Sequence, residues 1–161
     1  MVEDRRSLTR PESADPALTM WRGALVGSEL PSVTGGIRTA GVDLTDRAKL
    51  VAARHRWKGA LEARIFSAEE RDRLQLDDDA VFCAAFGIKE SVIKVLGGLP
   101  RGAGFQDIHL DRTDLGWGVG LRGRAAASGA ATSVGPMVCD AREWPGMPPL
   151  AWAAATARSG A

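Results

Sequence analysis

The stretch Phe86-Gly87-Ile88-Lys89-Glu90-Ser91-Val92-Ile93-Lys94 decides how this chain is read. It lies inside a longer run, Ala80 to Leu96, in which Val81, Ala85, Ile88, Val92 and Val95 recur at spacings of four, three, four and three. That rhythm predicts a helix with one apolar stripe. Cys83, Gly87, Glu90 and Lys94 then fall on a different face, so a carboxylate and an ammonium project from a helix whose other side is anchored in a core. Upstream, Asp77-Asp78-Asp79 offers an N-cap and charge that complements the helix dipole. Downstream, Gly97-Gly98 is the expected stop.

Working outward, a further acid stands at the end of a short apolar run, Ala40-Gly41-Val42-Asp43-Leu44, within a predicted strand from Ile37 to Leu44. Asp43 and Glu90 are a donor set for a divalent metal, and Lys94 for a phosphate. Mg²⁺ takes one or two carboxylates together with substrate phosphates and water. The chemistry that fits is the handling of a metal-bound pyrophosphate. On spacing alone, the plainer reading of Glu90 and Lys94 is a solvated ion pair contributing roughly a few tenths of a kcal/mol. Asp43 alone reads equally well as a helix cap. Lys89 reads first as a structural or surface charge, and Gly87 either leaves room for a ligand or permits close helix packing.

The flanking elements follow from local signals. Thr45 or Asp46 can cap a helix running toward Trp57, and Ser67 with Glu70 fits a capping box opening a short helix over Ala68 to Leu74. Phe105 to Leu110 and Trp117 to Leu121 flank the turn-rich Asp111-Arg112-Thr113-Asp114 and predict a hairpin. A short helix is expected over Leu121 to Ala127. Val134 to Asp140 and Leu150 to Ala157 read as two last strands around a loop carrying Pro145, Pro148 and Pro149. Helices mixed with a largely antiparallel sheet give an α+β class. Residues 1–36, with Pro11, Pro16, Pro31, Gly35 and Gly36, read as an extension that is in part disordered, ahead of one domain over 37–161.

Composition sets the outer limits. A chain of 161 residues with 45% hydrophobic and 25% charged residues is long enough for a core without disulfide staples. A net charge of +1 argues against a wholesale nucleic-acid binder. No apolar run reaches membrane-span length, and the N-terminus has no secretion-signal core, so a cytoplasmic protein is expected. Cys83 and Cys139 lack a close pair and read as reduced thiols, Cys83 as a small buried hydrophobe. His55 and His109 have no ligand-spaced partner and read as non-catalytic.

Four segments, taken in order, resemble one family. They are Ala40-Gly41-Val42-Asp43-Leu44-Thr45, Arg64-Ile65-Phe66-Ser67-Ala68-Glu69-Glu70, Phe86-Gly87-Ile88-Lys89-Glu90-Ser91 with Lys94 and Gly97, and Phe105-Gln106-Asp107-Ile108-His109-Leu110. Together, over roughly residues 37 to 122, they resemble the small holo-acyl-carrier-protein synthases, which are 4′-phosphopantetheinyl transferases. The resemblance implies a single-lobed fold and transfer of the phosphopantetheine arm of coenzyme A to a serine of an acyl carrier protein. Adenosine 3′,5′-bisphosphate would be released. It implies that Asp43 and Glu90 hold Mg²⁺, that Lys94 acts on the pyrophosphate, and that Lys89 and Gly97 adjoin the coenzyme. It implies a homotrimer with coenzyme A in clefts between subunits. Which group takes the serine proton stays open.

The first helix of such enzymes docks the acidic carrier. Arg47, Lys49, Arg54, Arg56, Lys58 and Arg64 make this segment locally basic, and the resemblance favours Lys49 and Arg56 for that role. The plainer reading is a solvated basic face.

The chain also departs from the family. Ala85 stands where an arginine is usual, and Met137-Val138-Cys139-Asp140-Ala141-Arg142-Glu143 lacks the usual Ser-His pair, with Arg142 a candidate replacement for a phosphate contact. Besides the transferase, two further readings are a degenerate homologue that binds carrier or coenzyme without transfer, and a metal-dependent pyrophosphate hydrolase.

Overall fold

A computed structural model of the chain describes residues 37–113, 116–127, 134–143 and 149–157. The N-terminal extension expected over residues 1–36 lies outside the described residues. Strand β1 (Ile37–Leu44) leads into α1 (Arg47–Trp57), α2 (Ala60–Ile65), α3 (Ala68–Arg73) and the long α4 (Asp79–Val95). There follow a single 3-10 turn (Phe105–Asp107), β2 (Ile108–Thr113), β3 (Gly116–Leu121), α5 (Gly123–Ala126), β4 (Val134–Arg142) and β5 (Leu150–Ala157). The strands form one antiparallel sheet in the order β1-β5-β4-β3-β2, and α4 packs across β1, β5 and β4. The α+β class expected from the sequence is the architecture observed.

Local chemistry explains the helix starts. Asp46 accepts a hydrogen bond from the Lys49 amide and opens α1. Ser67 and Glu70 cap each other's backbone at the start of α3, and Asp78 accepts from the Ala80 amide to open α4. The basic segment breaks at Lys58 and Gly59, both in left-handed conformation (φ 42° and 86°), so it forms two helices. At the far end of α4, Gly97 (φ 72°) turns the chain while its amide and that of Gly98 take up the last carbonyls.

The core lies between α4 and the sheet on one side and α2–α3 on the other, built on Phe66, Phe82, Ile88, Val92, Ile108 and Leu110. The Phe66 and Phe82 rings meet edge to face, with centroids 5.8 Å apart.

The structure differs from the expected pattern in three places. Asp111, Arg112 and Thr113, expected in the hairpin turn, pair with Gly118, Trp117 and Gly116 as the end of β2. Phe105–Asp107 was expected to extend the strand to Leu110 but forms a 3-10 turn, and the strand begins at Ile108. The Asp107 carboxylate accepts from the Gly104 amide, and the Phe105 ring stacks on Phe86, which together pull the chain off the strand path. Helix α4 is also enclosed on most of its surface: Cys83, Gly87 and Lys89 are buried along with the stripe residues Ala85, Ile88, Val92 and Val95. Glu90 is half-buried and Lys94 exposed.

Candidate active site

Successive side chains of a strand point to opposite faces, so Gly41 and Asp43 share the side of β1 that meets α4, while Val42 and Leu44 face away. Gly41 permits the approach. A Cβ there would overlap the Ser91 carbonyl oxygen and stand 2.9 Å from Lys94 Cβ. Gly87 does the same from the helix, where a Cβ would stand 2.8 Å from Ala151 Cβ and 2.9 Å from Thr45 Oγ1. The buried Ser91 hydroxyl lies 2.9 Å from the Gly87 carbonyl and 3.1 Å from that of Ala151, tying α4 to β5.

The close seam brings Asp43, Glu90 and Lys94 together. Lys94 Nζ donates to Asp43 Oδ1 at 2.9 Å and to the Val42 carbonyl at 2.7 Å. Thr45, itself buried, donates from Oγ1 to Asp43 Oδ2 at 2.9 Å. Burial raises the Glu90 carboxyl above its ordinary pKa, the Asp43 charge raises it further, and Lys94 pulls the other way. Two carboxyl groups thus repel each other across the seam, and among the described residues none donates a hydrogen bond to Glu90.

This donor set fits a hard divalent cation, which relieves like-charge repulsion between carboxylates and binds oxygen. Among the described residues no three His, Cys, Asp or Glu side chains gather as a full metal cage. Mg²⁺ does not require one, since phosphate and water complete its shell.

Other expected site residues are placed differently. The expectation that Lys89 contacts a coenzyme is corrected. Its side chain is fully enclosed, and its ammonium donates to Glu70 Oε2 at 2.9 Å, the Ile65 carbonyl at 3.0 Å and the Phe105 carbonyl at 3.1 Å. All three of its donors are spent. Gly97 is exposed just beyond Lys94, with open space where a Cβ would stand. Lys49 is 86% exposed with its ammonium 3.1 Å from Asp46, and Arg56 is exposed one heptad on along α1.

Arg54, grouped by sequence with the basic surface, is a brace instead. Its guanidinium bonds Glu62 at 2.6 Å and Asp79 at 2.9 Å and lies over the Phe82 ring. Arg47 pairs with Glu143 at 3.1 Å.

Near the start of α4, Arg142 and Arg112 both line a cavity of about 230 Å³, with Trp117, Ala84 and Pro149 among its walls. Arg142 bonds Asp140 at 3.2 Å, and Arg112 lies over the Trp117 ring. Pro149 accepts the Thr45 amide at 3.1 Å, which links this cavity to the strand that carries Asp43.

Sequence reasoning missed Thr45 as the support of Asp43 and Glu70 as the partner of Lys89. Both stood inside the segments that carry the resemblance, where they were read only as helix caps.

Comparison with solved structures shows the same fold. Holo-acyl-carrier-protein synthase of Helicobacter pylori, solved in complex with coenzyme A, is 19% identical, with a TM-score of 0.61, covering 74% of this chain and 100% of that one. The Neisseria meningitidis synthase is 18% identical, with a TM-score of 0.65 and coverage of 74% and 98%. The synthase of Plasmodium yoelii is 14% identical, with a TM-score of 0.64 and coverage of 77% and 98%. Among curated proteins none matches the chain. The family model of the 4′-phosphopantetheinyl transferase superfamily matches residues 39–126, more than half of the chain, a span that contains Asp43, Thr45, Glu70, Glu90 and Lys94. The chain belongs to the 4′-phosphopantetheinyl transferase superfamily.

Proposed function

We propose that this protein transfers the 4′-phosphopantetheine group of coenzyme A to a serine of an acyl carrier protein, in a Mg²⁺-dependent reaction that releases adenosine 3′,5′-bisphosphate. The observation that carries this reading is the meeting of Asp43, Glu90 and Lys94 at the seam of β1 and α4. Phosphoryl transfer needs charge neutralisation and in-line placement more than covalent help from the protein. Asp43 and Glu90 would hold the Mg²⁺, which when bound offsets charge on the pyrophosphate of the coenzyme.

The protein's own groups do the rest. Thr45 fixes the orientation of the Asp43 carboxylate. Lys94, 47% exposed on a flexible stem, can offer its charge to the same phosphates. Gly97, just past it, leaves open backbone beside them. Lys49 and Arg56 on the outer side of α1 receive the acidic carrier. The family resemblance implies a homotrimer, and the exposure of Val42 (45%) and Leu44 (53%) on β1 supports a covered face there. The expected setting is the cytoplasm, which suits the unpaired thiols of Cys83 and Cys139. None of the helices among the described residues is long and apolar enough to cross a membrane.

A second reading, a homologue that binds carrier or coenzyme A with little transfer, draws on two observations. Ala85, where an arginine is usual, is fully enclosed, and the Arg142 guanidinium is held by Asp140. One experiment decides. The protein is incubated with apo carrier, coenzyme A and Mg²⁺, and the carrier is weighed by mass spectrometry. A gain of the phosphopantetheine mass, lost in Asp43→Ala and Glu90→Ala, establishes transfer. Carrier binding without the mass gain establishes the binding module, and coenzyme A breakdown without carrier a hydrolase.

A further inference from the structure

We propose that the buried Glu70–Lys89 pair is a positioning device that sets the rotation of α4, and so holds Glu90 opposite Asp43. The inference rests on the metal site proposed above and concerns residues that do not themselves touch a ligand. Both side chains are fully buried, with nitrogen and oxygen 2.8 Å apart at the closest approach. Every donor of the lysine is used, on three different elements: Glu70 in α3, the Ile65 carbonyl at the end of α2, and the Phe105 carbonyl in the 3-10 turn. The carboxylate is equally engaged. Glu70 Oε2 accepts from the Ser67 amide at 2.8 Å, and Oε1 accepts from the Leu110 amide at 2.8 Å in β2.

A pair of this kind is poorly explained by stability. Desolvating two charges costs several kcal/mol, and well-packed apolar residues in their place are often neutral or stabilising. Apolar packing is non-directional, however, and lets a helix slide or roll by small steps. Three hydrogen bonds donated by one nitrogen fix both the height and the azimuth of the helix at that residue. Glu90 is the next residue, a turn of about 100° away on the helix wheel. The other side of α4 is set by the Gly41 and Gly87 contacts and by Ser91. Lys89 supplies the restraint from behind. A small roll about the helix axis would carry the Glu90 carboxylate away from Asp43 while leaving the core largely filled.

The test uses the full chain. Glu70→Gln/Lys89→Met removes both charges, and glutamine at position 70 keeps one oxygen to accept from either the Ser67 or the Leu110 amide. Mn²⁺ serves as a spin-active probe, and its dissociation constant is measured by electron paramagnetic resonance in the presence of coenzyme A. Melting temperature and the KM for apo carrier are measured alongside. We expect a folded variant whose Mn²⁺ affinity falls about tenfold or more, the scale on which supports of metal ligands act. KM for the carrier should stay unchanged. Lys89→Arg, which keeps the charge and donors on a longer stem, should give a smaller loss.

An unchanged Mn²⁺ affinity in the folded double variant overturns the inference and leaves the transferase reading standing. Should that variant fail to fold, Lys89→Arg decides: a loss of Mn²⁺ affinity supports the inference, and wild-type affinity overturns it. A wild-type protein that binds no Mn²⁺ and transfers nothing overturns the proposed function and this inference with it.

Discussion

The ammonium of Lys94 sits on the Asp43 carboxylate of the neighbouring strand, 2.9 Å away, and not on Glu90 one turn back along its own helix. This separates the two readings that the sequence allowed. An i, i+4 pair would neutralise Glu90 and leave Asp43 as a cap. Instead the lysine bridges strand and helix, and Glu90, to which none of the described residues donates a hydrogen bond, has its carboxyl pKa raised by burial and by the Asp43 charge, against a lowering pull from Lys94. This arrangement of two acids and one exposed lysine is what supports the proposed binding of a metal-bound pyrophosphate.

The seam depends on Gly41. Any side chain there meets the Ser91 backbone oxygen, which cannot rotate away. Gly41→Ala should therefore push α4 from β1 and cost about 1–3 kcal/mol, the usual range for overpacking. Because the displaced helix carries Glu90 and Lys94, transfer should fall by more than the loss of folded protein explains. Chemical denaturation gives the first quantity, and carrier modification per folded molecule the second. Wild-type stability in this variant would show that the seam is looser than described.

Glu90 should make stability depend on pH in a defined direction. Its carboxyl pKa is raised in the fold by burial and by Asp43, so the protonated form is the one the fold favours. The cost of its charge is absent below about pH 4.5, the ordinary glutamate value, and grows as pH rises through the folded pKa. Without added metal, Glu90→Gln should melt higher than wild type at pH 7, and the difference should vanish toward pH 4. Adding Mg²⁺ with coenzyme A should raise the wild-type Tm and leave that of the variant nearly unmoved. Thermal melts across pH, with and without Mg²⁺, check both statements.

Lys94 is predicted to act on the reacting phosphates and not on the fold. Its side chain is 47% exposed, and its pairing with Asp43 is a surface-type contact of small energetic weight. Lys94→Met should leave Tm within a few degrees and lower kcat about 100-fold, the scale for removing one stabilising donor from a transition state. KM for the carrier should not change. A rate near wild type would remove Lys94 from the chemistry.

The sequence made much of this legible where the signal is local. Ser67 with Glu70, Asp78 before α4 and Gly97 after it are contacts within a few residues, and each helix boundary follows from them to within a residue or so. Asp43 was placed because a strand motif and a helix motif, read together, resembled one family. What escaped depends on distant partners. Lys89 read as a surface or coenzyme-facing charge because Glu70 is 19 residues away and the Ile65 and Phe105 carbonyls 24 and 16. Arg54 looked like one more basic residue of α1, since nothing nearby announces Glu62 and Asp79 folding back around it. The turn at Phe105 follows from the same tertiary demand, since the ring stacks on Phe86 while the carbonyl faces Lys89.

Carrier recognition is the last prediction, and it follows from which charges on α1 are left over. Arg54 is consumed inside the protein and Arg47 is bridged to Glu143, so neither is free to meet a partner at full strength. Lys49 and Arg56 remain outward on one face of the helix, seven residues apart, and among the described residues only Lys49 has a partner, the exposed Asp46. Exposed charges of this kind govern encounter more than bound-state energy, and their influence is screened by salt. Lys49→Glu/Arg56→Glu should raise KM for an acidic carrier about tenfold or more at low ionic strength, with kcat at saturation and Tm close to wild type. The penalty should shrink as salt is added, because a Debye length of about 10 Å at 0.1 M falls to about 3 Å at 1 M. Arg54→Glu offers the contrast: it should lower Tm, since it leaves Glu62 and Asp79 facing a third acid. Steady-state kinetics across a salt series would decide. A double variant with wild-type KM at low salt would place the carrier on another surface of the protein.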